Sequence, residues 1–161
     1  MKLLTKRCLI RNFRLEDADD LYQVLSDRQV MKHVEPVFNM EKTKAFIETA
    51  GLCEPPLVYA IVWNATGKVI GHAIFHIYEG SSYEIGWILS RDHWGMGIAD
   101  EVTKALIGFA AHAGADSCVI ECSPQQIASR KIAAKNGFTY EGETDNLERY
   151  RLTLPKTGLC L

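Results

Sequence analysis

The sequence predicts a mixed α/β (α+β) fold, in which a central, mostly antiparallel mixed sheet of six to seven strands carries helices on both faces. The order of predicted elements is strand, two helices, three strands, helix, strand, helix, two strands. The apolar period changes from two to 3.6 after residue 89, where the central strands give way to a helix. With 161 residues, of which 47% are hydrophobic and 24% charged, the chain suits one domain over residues 1–161.

The first third of the chain predicts one strand followed by two helices. Residues 6–12 are typical of an opening strand. In residues 15–25 the apolar side chains recur every three or four positions and acids gather in the first turns, which favours a helix. Asn39 is suited to cap a second helix, and Gly51 is suited to end it.

The middle of the chain predicts an antiparallel meander of three strands, residues 57–63, 69–77 and 83–89. Turn residues separate these strands, including Gly67, which tolerates the positive φ that such a turn requires.

The last part of the chain predicts alternating helices and strands. Residues 98–113 place their apolar side chains on one helix face, and Gly114 ends that helix. Residues 119–122 form a short strand, and a helix over residues 127–136 follows. Residues 138–143 and 149–154 are typical of a closing pair of strands.

Composition excludes several classes of partner. Eighteen basic and twenty acidic residues give a formal net charge of −2, which argues against a surface that coats nucleic acid. No apolar run reaches the roughly 20 residues that a membrane-spanning helix needs. The first residues also lack the apolar stretch of a signal peptide, so we expect a cytoplasmic protein with no membrane partner.

The five cysteines do not predict a disulfide framework or a metal site. They are odd in number and scattered, and no second ligand pair accompanies any of them. Cys118 and Cys122 fall in a strand that is predicted to be buried, where cysteine behaves as a small apolar residue. We therefore expect no bound metal.

The segment from residue 84 to residue 101 predicts an anion-binding site, because a strand leads through a loop with Gly95 and Gly97 into a helix. Small residues there, with Ala99, let backbone N–H groups approach an anion at the positive end of the helix dipole. A P-loop would need Gly-Lys-Ser or Gly-Lys-Thr, and a Rossmann fingerprint would need glycine at Asp100. A turn that holds the pyrophosphate of coenzyme A, and a helix start with glycines for tight packing, both remain open.

Four segments, taken in order, resemble the GNAT superfamily of acyl-CoA N-acyltransferases and, within it, the branch similar to ribosomal-protein-alanine N-acetyltransferases. The segments are residues 4–11 followed by Asp17, 67–71, 84–87 together with 94–101, and 126–138. The resemblance covers nearly the whole chain. It implies the GNAT fold and an N-acetyltransferase that moves an acetyl group from acetyl-CoA to a primary amine, in a protein N-terminus or a small molecule, by direct attack.

The resemblance also implies how acetyl-CoA, the cosubstrate, is bound. It would lie in a V-shaped gap between the strand that ends at Ser90 and strand 119–122, with its pantetheine on main-chain groups. The expected binding residues are Ile88, Leu89, Ser90, Trp94, Gly95, Met96, Gly97, Ile98, Ala99, Gln126 and Ser129. Three positions depart from the usual pattern: Trp94 replaces glutamine or arginine, Gln126 replaces asparagine, and Ala133 replaces a tyrosine acid.

The expected catalytic residues are Glu84, Ser129 and Glu148. An alkyl ammonium has a pKa near ~10.4, so a base must remove its proton before attack. Glu84 is our first choice of base and Glu148 the second; each is alternatively an ordinary surface carboxylate. Ser129 is expected to protonate the leaving thiolate, or is an ordinary helix serine.

Three further expectations stay open. An alternative function is a catalytically silent acyl-CoA-binding regulatory module on the same fold, although the presence of candidate acids and bases favours the enzyme. The protein is expected to be a monomer or a homodimer. His72 and His76, on one face of a predicted strand, either line a pocket for the amine or lie on a half-exposed sheet face.

Overall fold

The structure is a computed structural model that describes residues 1–156. Its centre is an eight-stranded sheet with strand order β1-β2-β3-β4-β5-β6-β8-β7, in which β5 and β6 are parallel and the other neighbours antiparallel. The strands are β1 (Lys2–Leu4), β2 (Cys8–Arg11), β3 (Val58–Trp63), β4 (Val69–Glu79), β5 (Ser82–Leu89), β6 (Ser117–Cys122), β7 (Thr139–Thr144) and β8 (Leu147–Thr153).

Helices cover both faces of this sheet, which confirms the predicted fold class. They are α1 (Ala18–Leu25), α2 (Arg28–Met31), α3 (Met40–Phe46), α4 (Ile98–His112) and α5 (Ile127–Lys135). Alternate residues of β3 show the two cores: Ala60 packs with the α1 side chains and Ile61 with those of α4. We call these the α1 face and the α4 face of the sheet.

Local sequence signals explain several helix boundaries. The Asn39 side chain accepts a hydrogen bond of 2.7 Å from the Lys42 N–H, which caps α3 as expected. α4 ends before Gly114, which has a φ of 81°.

The N-terminal region corrects the predicted strand count. The predicted opening strand over residues 6–12 contains β2, but β1 was not predicted; it pairs with β2 as a hairpin in which Leu3 lies opposite Ile10. The sheet therefore has eight strands rather than six to seven. β1 has only three residues, too few for an apolar alternation to be recognised. α2 has only four residues, so its apolar periodicity is also too short to be recognised in the sequence.

The described cysteines are free thiols, and three of them are core residues. Burial raises the pKa of Cys8 and of Cys122 to about 11, and that of Cys118 to about 12. Cys160 lies outside the described residues. Among residues 1–156, no group of three or more His, Cys, Asp or Glu side chains is placed to hold a metal ion. The helices of that part of the chain include none long and apolar enough to cross a membrane.

Candidate active site

The main opening in the sheet lies between the parallel strands β5 and β6. Their pairing covers only three residue pairs and ends where Glu84 lies opposite Val119. Beyond that pair, β5 continues to Leu89 and β6 to Cys122 without pairing to each other. We call this space the strand gap. It occurs where the resemblance implies a V-shaped gap.

The strand gap is bordered by main-chain groups of alternate β5 residues. The Ser90 N–H donates to the Ile70 carbonyl at 2.7 Å, and the Ser90 carbonyl accepts from the His93 N–H at 3.0 Å. Because alternate residues of a strand face the same neighbour, the main-chain groups of Ile88 also face β4, whereas those of Trp87 and Leu89 face the gap. This geometry corrects the expectation that Ile88 and Ser90 offer main-chain groups to a ligand there.

The loop between β5 and α4 forms an exposed turn that we call the glycine cradle, residues 94–99. Gly95 and Gly97 have φ angles of 72° and 79°, a conformation that residues with a Cβ rarely adopt. A Cβ at Gly95 would have no heavy atom within 4 Å, so the space in front of the cradle is open. The Trp94 Nε1–H donates to the Leu89 carbonyl at 3.0 Å and ties the cradle to the end of β5.

The first turn of α4 contains Asp100, whose charge would repel an anion in the cradle if it were unpaired. Its carboxylate is instead bonded to Lys104 and Lys135, each at 2.9 Å, and to the Asn136 amide at 2.8 Å. The hydrogen bonds from Lys104, Lys135 and Asn136 lower the pKa of Asp100. They also join α4 to the end of α5.

Glu101, in the same turn, is paired with Arg7 from the loop before β2. The Arg7 Nε–H donates to Glu101 at 2.9 Å, and the Arg7 N–H donates to the same carboxylate at 2.7 Å. Burial acts to raise the pKa of Glu101, but bonds from Thr5 and Arg7 outweigh it and lower that pKa. Both acidic groups at the start of α4 are therefore neutralised by cations.

Arg7 is a site residue that sequence reasoning missed. Its Nη2 lies 3.7 Å from the position that a Cβ on Gly97 would occupy, so the guanidinium borders the cradle. The sequence signal was indirect: an acid in the first turn of a helix that binds an anion requires a cation beside it. Nothing local indicates that this cation comes from 94 residues away.

α5 follows directly after β6, the strand on the other side of the strand gap. Gln126 precedes this helix, and its side-chain oxygen accepts a 2.7 Å hydrogen bond from the Ser123 N–H. That bond commits the amide oxygen to the loop. Ser129, in the first turn of α5, is half-buried.

Glu84 lies on the α1 face, at the point where the strands part. Its neighbour Ile85 packs in the α4 core, so the Glu84 side chain points to the opposite face. Glu84 Oε2 is 3.3 Å from His76 Nε2, across the β4–β5 ladder. His76 Nδ1 lies 3.0 Å from the Ile77 carbonyl. The hydrogen bond with Glu84 raises the pKa of His76, and the contact with the Ile77 carbonyl adds to this effect. Partial burial acts to lower that pKa but is outweighed.

Glu148 lies on the α4 face, because it shares a face with Tyr150, a residue of the α4 core. It accepts a 2.6 Å hydrogen bond from the Tyr150 hydroxyl and pairs with Arg130 Nε at 3.0 Å. Its side chain is only 12% exposed. The structure therefore does not bring the two candidate bases together: they occupy opposite faces of the sheet.

A cavity of about 300 Å³ lies on the α1 face, and we call it the His72 pocket. His72 and His76 both line it. That this cavity receives the amine stays a prediction. Glu84 and Glu35 are its other polar lining residues. The remaining wall is apolar and includes Phe38, Phe46, Leu57, Val58, Ile74 and Ile88.

Comparisons with known proteins agree with this architecture. The family model for the acetyltransferase (GNAT) domain matches residues 7–139. The uncharacterized N-acetyltransferase YnaD of Bacillus subtilis is 31% identical over 145 residues, which cover 88% of this chain and 85% of YnaD. A GNAT-family acetyltransferase structure from Bacillus anthracis superposes with a TM-score of 0.87 at 25% identity, covering 95% of this chain and 98% of that one.

The ribosomal L7/L12 α-N-protein acetyltransferase RimL, solved with coenzyme A, has the same fold. Its TM-score is 0.81 at 19% identity, and the match covers 96% of this chain and 98% of RimL. The chain belongs to the GNAT acetyltransferase family. The superfamily that the sequence resembles is thereby confirmed.

Proposed function

We propose that this acetyltransferase moves an acetyl group from acetyl-CoA to a primary amine by direct attack of the amine on the thioester. The observation that carries the proposal is the parting of β5 and β6 after Glu84 and Val119, directly before the exposed glycine cradle. A long, thin ligand with a diphosphate at one end fits this combination of a gap and an anion site.

The described residues fit acetyl-CoA as the cosubstrate. Backbone N–H groups of residues 95–99, at the start of α4, would hold the pyrophosphate. Arg7 pairs with Glu101 and so cancels the charge that would repel a pyrophosphate, while its guanidinium borders the cradle and offers further N–H donors. Main-chain groups of Trp87 and Leu89 would bond the pantetheine amides, and the amide nitrogen of Gln126 lies on the other side of the gap.

Glu84 is the base in this proposal, because it is the candidate carboxylate on the α1 face at the mouth of the His72 pocket. An amine in that pocket lies beside Glu84 and can lose its proton to the carboxylate, directly or through one water. Glu148 is already bonded to Arg130 and Tyr150 on the other face. We therefore assign Glu148 a structural role.

Ser129 is the proposed acid for the leaving group. As coenzyme A departs, its thiolate takes a proton, and we assign its supply to the half-buried Ser129 hydroxyl in the first turn of α5, the helix that follows β6. The acceptor in this proposal is the amine of a protein N-terminus or of a small molecule. RimL acts on a ribosomal protein N-terminus, and the His72 pocket favours a compact amine.

Isothermal titration calorimetry with acetyl-CoA tests the cosubstrate, and CoA release from a panel of amines and N-terminal peptides tests the reaction. Gly97→Glu places a negative side chain in the cradle and should abolish measurable binding. Gly97→Ala is the matched control, because it introduces the same positive-φ strain without the charge. Unchanged affinity in Gly97→Glu would contradict the site, and binding without turnover of any amine would indicate a silent acyl-CoA-binding module.

A further inference from the structure

The His72 pocket connects the proposed base to an apolar chamber. Glu84 and His76 lie opposite each other on β5 and β4, and His72 lies four residues earlier on β4, opposite Ile88. Four residues of strand span about 13 Å. The pocket therefore has a reactive end, beside Glu84 at the strand gap, and a far end beside His72 and Phe46.

The far end holds a buried histidine without a full set of partners. His72 is only 6% exposed, and its Nδ1 has no hydrogen-bond partner among the described residues. Burial lowers the pKa of His72 to about 4, so the imidazole is neutral near pH 7. Its ring lies 5.1 Å from that of Phe46. A neutral, aromatic chamber with one polar group suits a ligand that is mostly apolar and has one hydrogen-bonding atom.

Apart from its two histidines, the ionisable residues that line the pocket are carboxylates. None of its lining residues is lysine or arginine, whereas Glu35 and Glu84 are both acidic. Each of these carboxylates already has a basic partner: His76 pairs with Glu84, and Lys42 pairs with Glu35 at 2.8 Å while it lies over the Phe38 ring. An amine in the pocket can therefore bond the Glu84 carboxylate, whereas a carboxylate on the same molecule would meet no lysine or arginine among the lining residues.

We propose that the acceptor is a primary amine with a compact aryl or alkyl body and no carboxylate, bound with its nitrogen at Glu84 and its body toward Phe46 and His72. The inference rests on the proposed function and specifies its substrate class. A polar atom at the end of the body, such as a hydroxyl, bonds the imidazole of His72. Free α-amino acids are excluded as good acceptors, because their carboxylate lies next to the amine and therefore beside Glu84.

Two matched pairs of amines test this specificity on the unmodified protein. 2-Phenylethylamine and phenylalanine differ by one carboxylate, as do tyramine and tyrosine. We expect kcat/KM for each amine to exceed that of its amino acid at least about a hundredfold, because an unpaired charge is costly to bury. Equal values within either pair would overturn the proposal.

His72→Phe tests the far end of the pocket while keeping an aromatic ring there. It should lower kcat/KM for tyramine relative to 2-phenylethylamine about three- to tenfold, the usual effect of one neutral hydrogen bond. An unchanged ratio, in a variant that retains its melting temperature and acetyl-CoA affinity, would overturn the role of His72. The comparison of each amine with its amino acid uses the unmodified protein, so its result does not depend on how His72→Phe folds.

A further assay, with an N-terminal peptide as the acceptor, distinguishes failure of this inference from failure of the proposed function. If an N-terminal seryl peptide is acetylated while neither arylalkylamine reacts, the substrate class is wrong and the acetyltransferase activity stands. If acetyl-CoA binds and no amine of either kind reacts, both proposals fail.

Discussion

Glu84 and Glu148 are two carboxylates on neighbouring parts of one sheet, yet their surroundings differ. Glu84 borders a cavity and has one side-chain partner, the imidazole of His76. Glu148 is nearly covered and is bonded by both Arg130 and Tyr150. A carboxylate acts as a base only if a lone pair is free to meet the substrate. The comparison therefore separates a carboxylate available to an amine from one that holds the sheet and α5 together.

The largest expected effect is on the activity of Glu84→Gln. Removing the base should lower kcat/KM for the amine at neutral pH by about 10²- to 10⁴-fold, the usual contribution of general base catalysis. The rate should recover at high pH, where the free amine is abundant. The matched control is Glu148→Gln, which should keep kcat/KM within about threefold. The reverse result in a pH–rate profile would make Glu148 the base.

The second prediction concerns the cation beside the cradle. Arg7→Gln should weaken acetyl-CoA binding about ten- to a hundredfold, since charge-assisted hydrogen bonds to phosphate are strong. Calorimetry measures the dissociation constant. Glu101→Gln is the control, because it removes the partner of Arg7 and keeps the guanidinium. If both variants weaken binding equally, the pair acts through the shape of the loop and not through charge on the ligand.

The third prediction concerns Ser129. Ser129→Ala should lower kcat about tenfold and leave KM for the amine nearly unchanged, because thiolate protonation matters only as the transition state is passed. Steady-state kinetics measures both quantities. Turnover equal to that of the unmodified enzyme, with chemistry shown to limit the rate, would leave Ser129 as a structural residue.

The fourth prediction tests the structural role of Glu148. Glu148→Gln removes the charge that bonds Arg130 and Tyr150. It should lower the melting temperature by roughly 2–4 °C, which corresponds to a loss of about 1 kcal/mol of stability in a domain of this size. Glu84→Gln should change the melting temperature less, because Glu84 has a single, partly exposed partner. Differential scanning calorimetry measures both melting temperatures. A larger decrease in Glu84→Gln than in Glu148→Gln would contradict the structural role of Glu148.

The smallest expected effect is on the titration of His76. Glu84 raises the pKa of His76, so Glu84→Gln should return that pKa toward ~6.5, as followed by NMR. A raised pKa in the folded state stabilises the protein below ~6.5, and this stabilisation is lost as the pH rises through the folded-state value. The stability difference between the two proteins should therefore shrink above neutral pH. A His76 pKa that does not respond to Glu84→Gln would contradict the pairing.

Features set by short stretches of chain could be predicted from the sequence. The strand, two-glycine turn and helix around residues 84–101 were recognisable because positive φ and helix capping act over a few residues. The meander of β3 to β5 was recognisable from its turns, and α3 from its cap at Asn39. The fold class followed from the order of such elements.

Features that join distant segments could not be predicted in this way. The β1–β2 hairpin, the placement of Arg7 beside Gly97, and the separation of Glu84 from Glu148 each depend on packing. The face on which a strand residue lies changes with a shift of one residue in register, and register is set by the neighbouring strands.

The sequence by itself determined the elements, their order and the anion-binding turn, because backbone preferences and apolar periodicity are local. Only the tertiary structure decided which carboxylate meets the His72 pocket and where β5 parts from β6. It also decided which arginine stands beside the cradle. Those outcomes arise because the two cores on either side of the sheet must be filled at once, by residues that are distant in the chain.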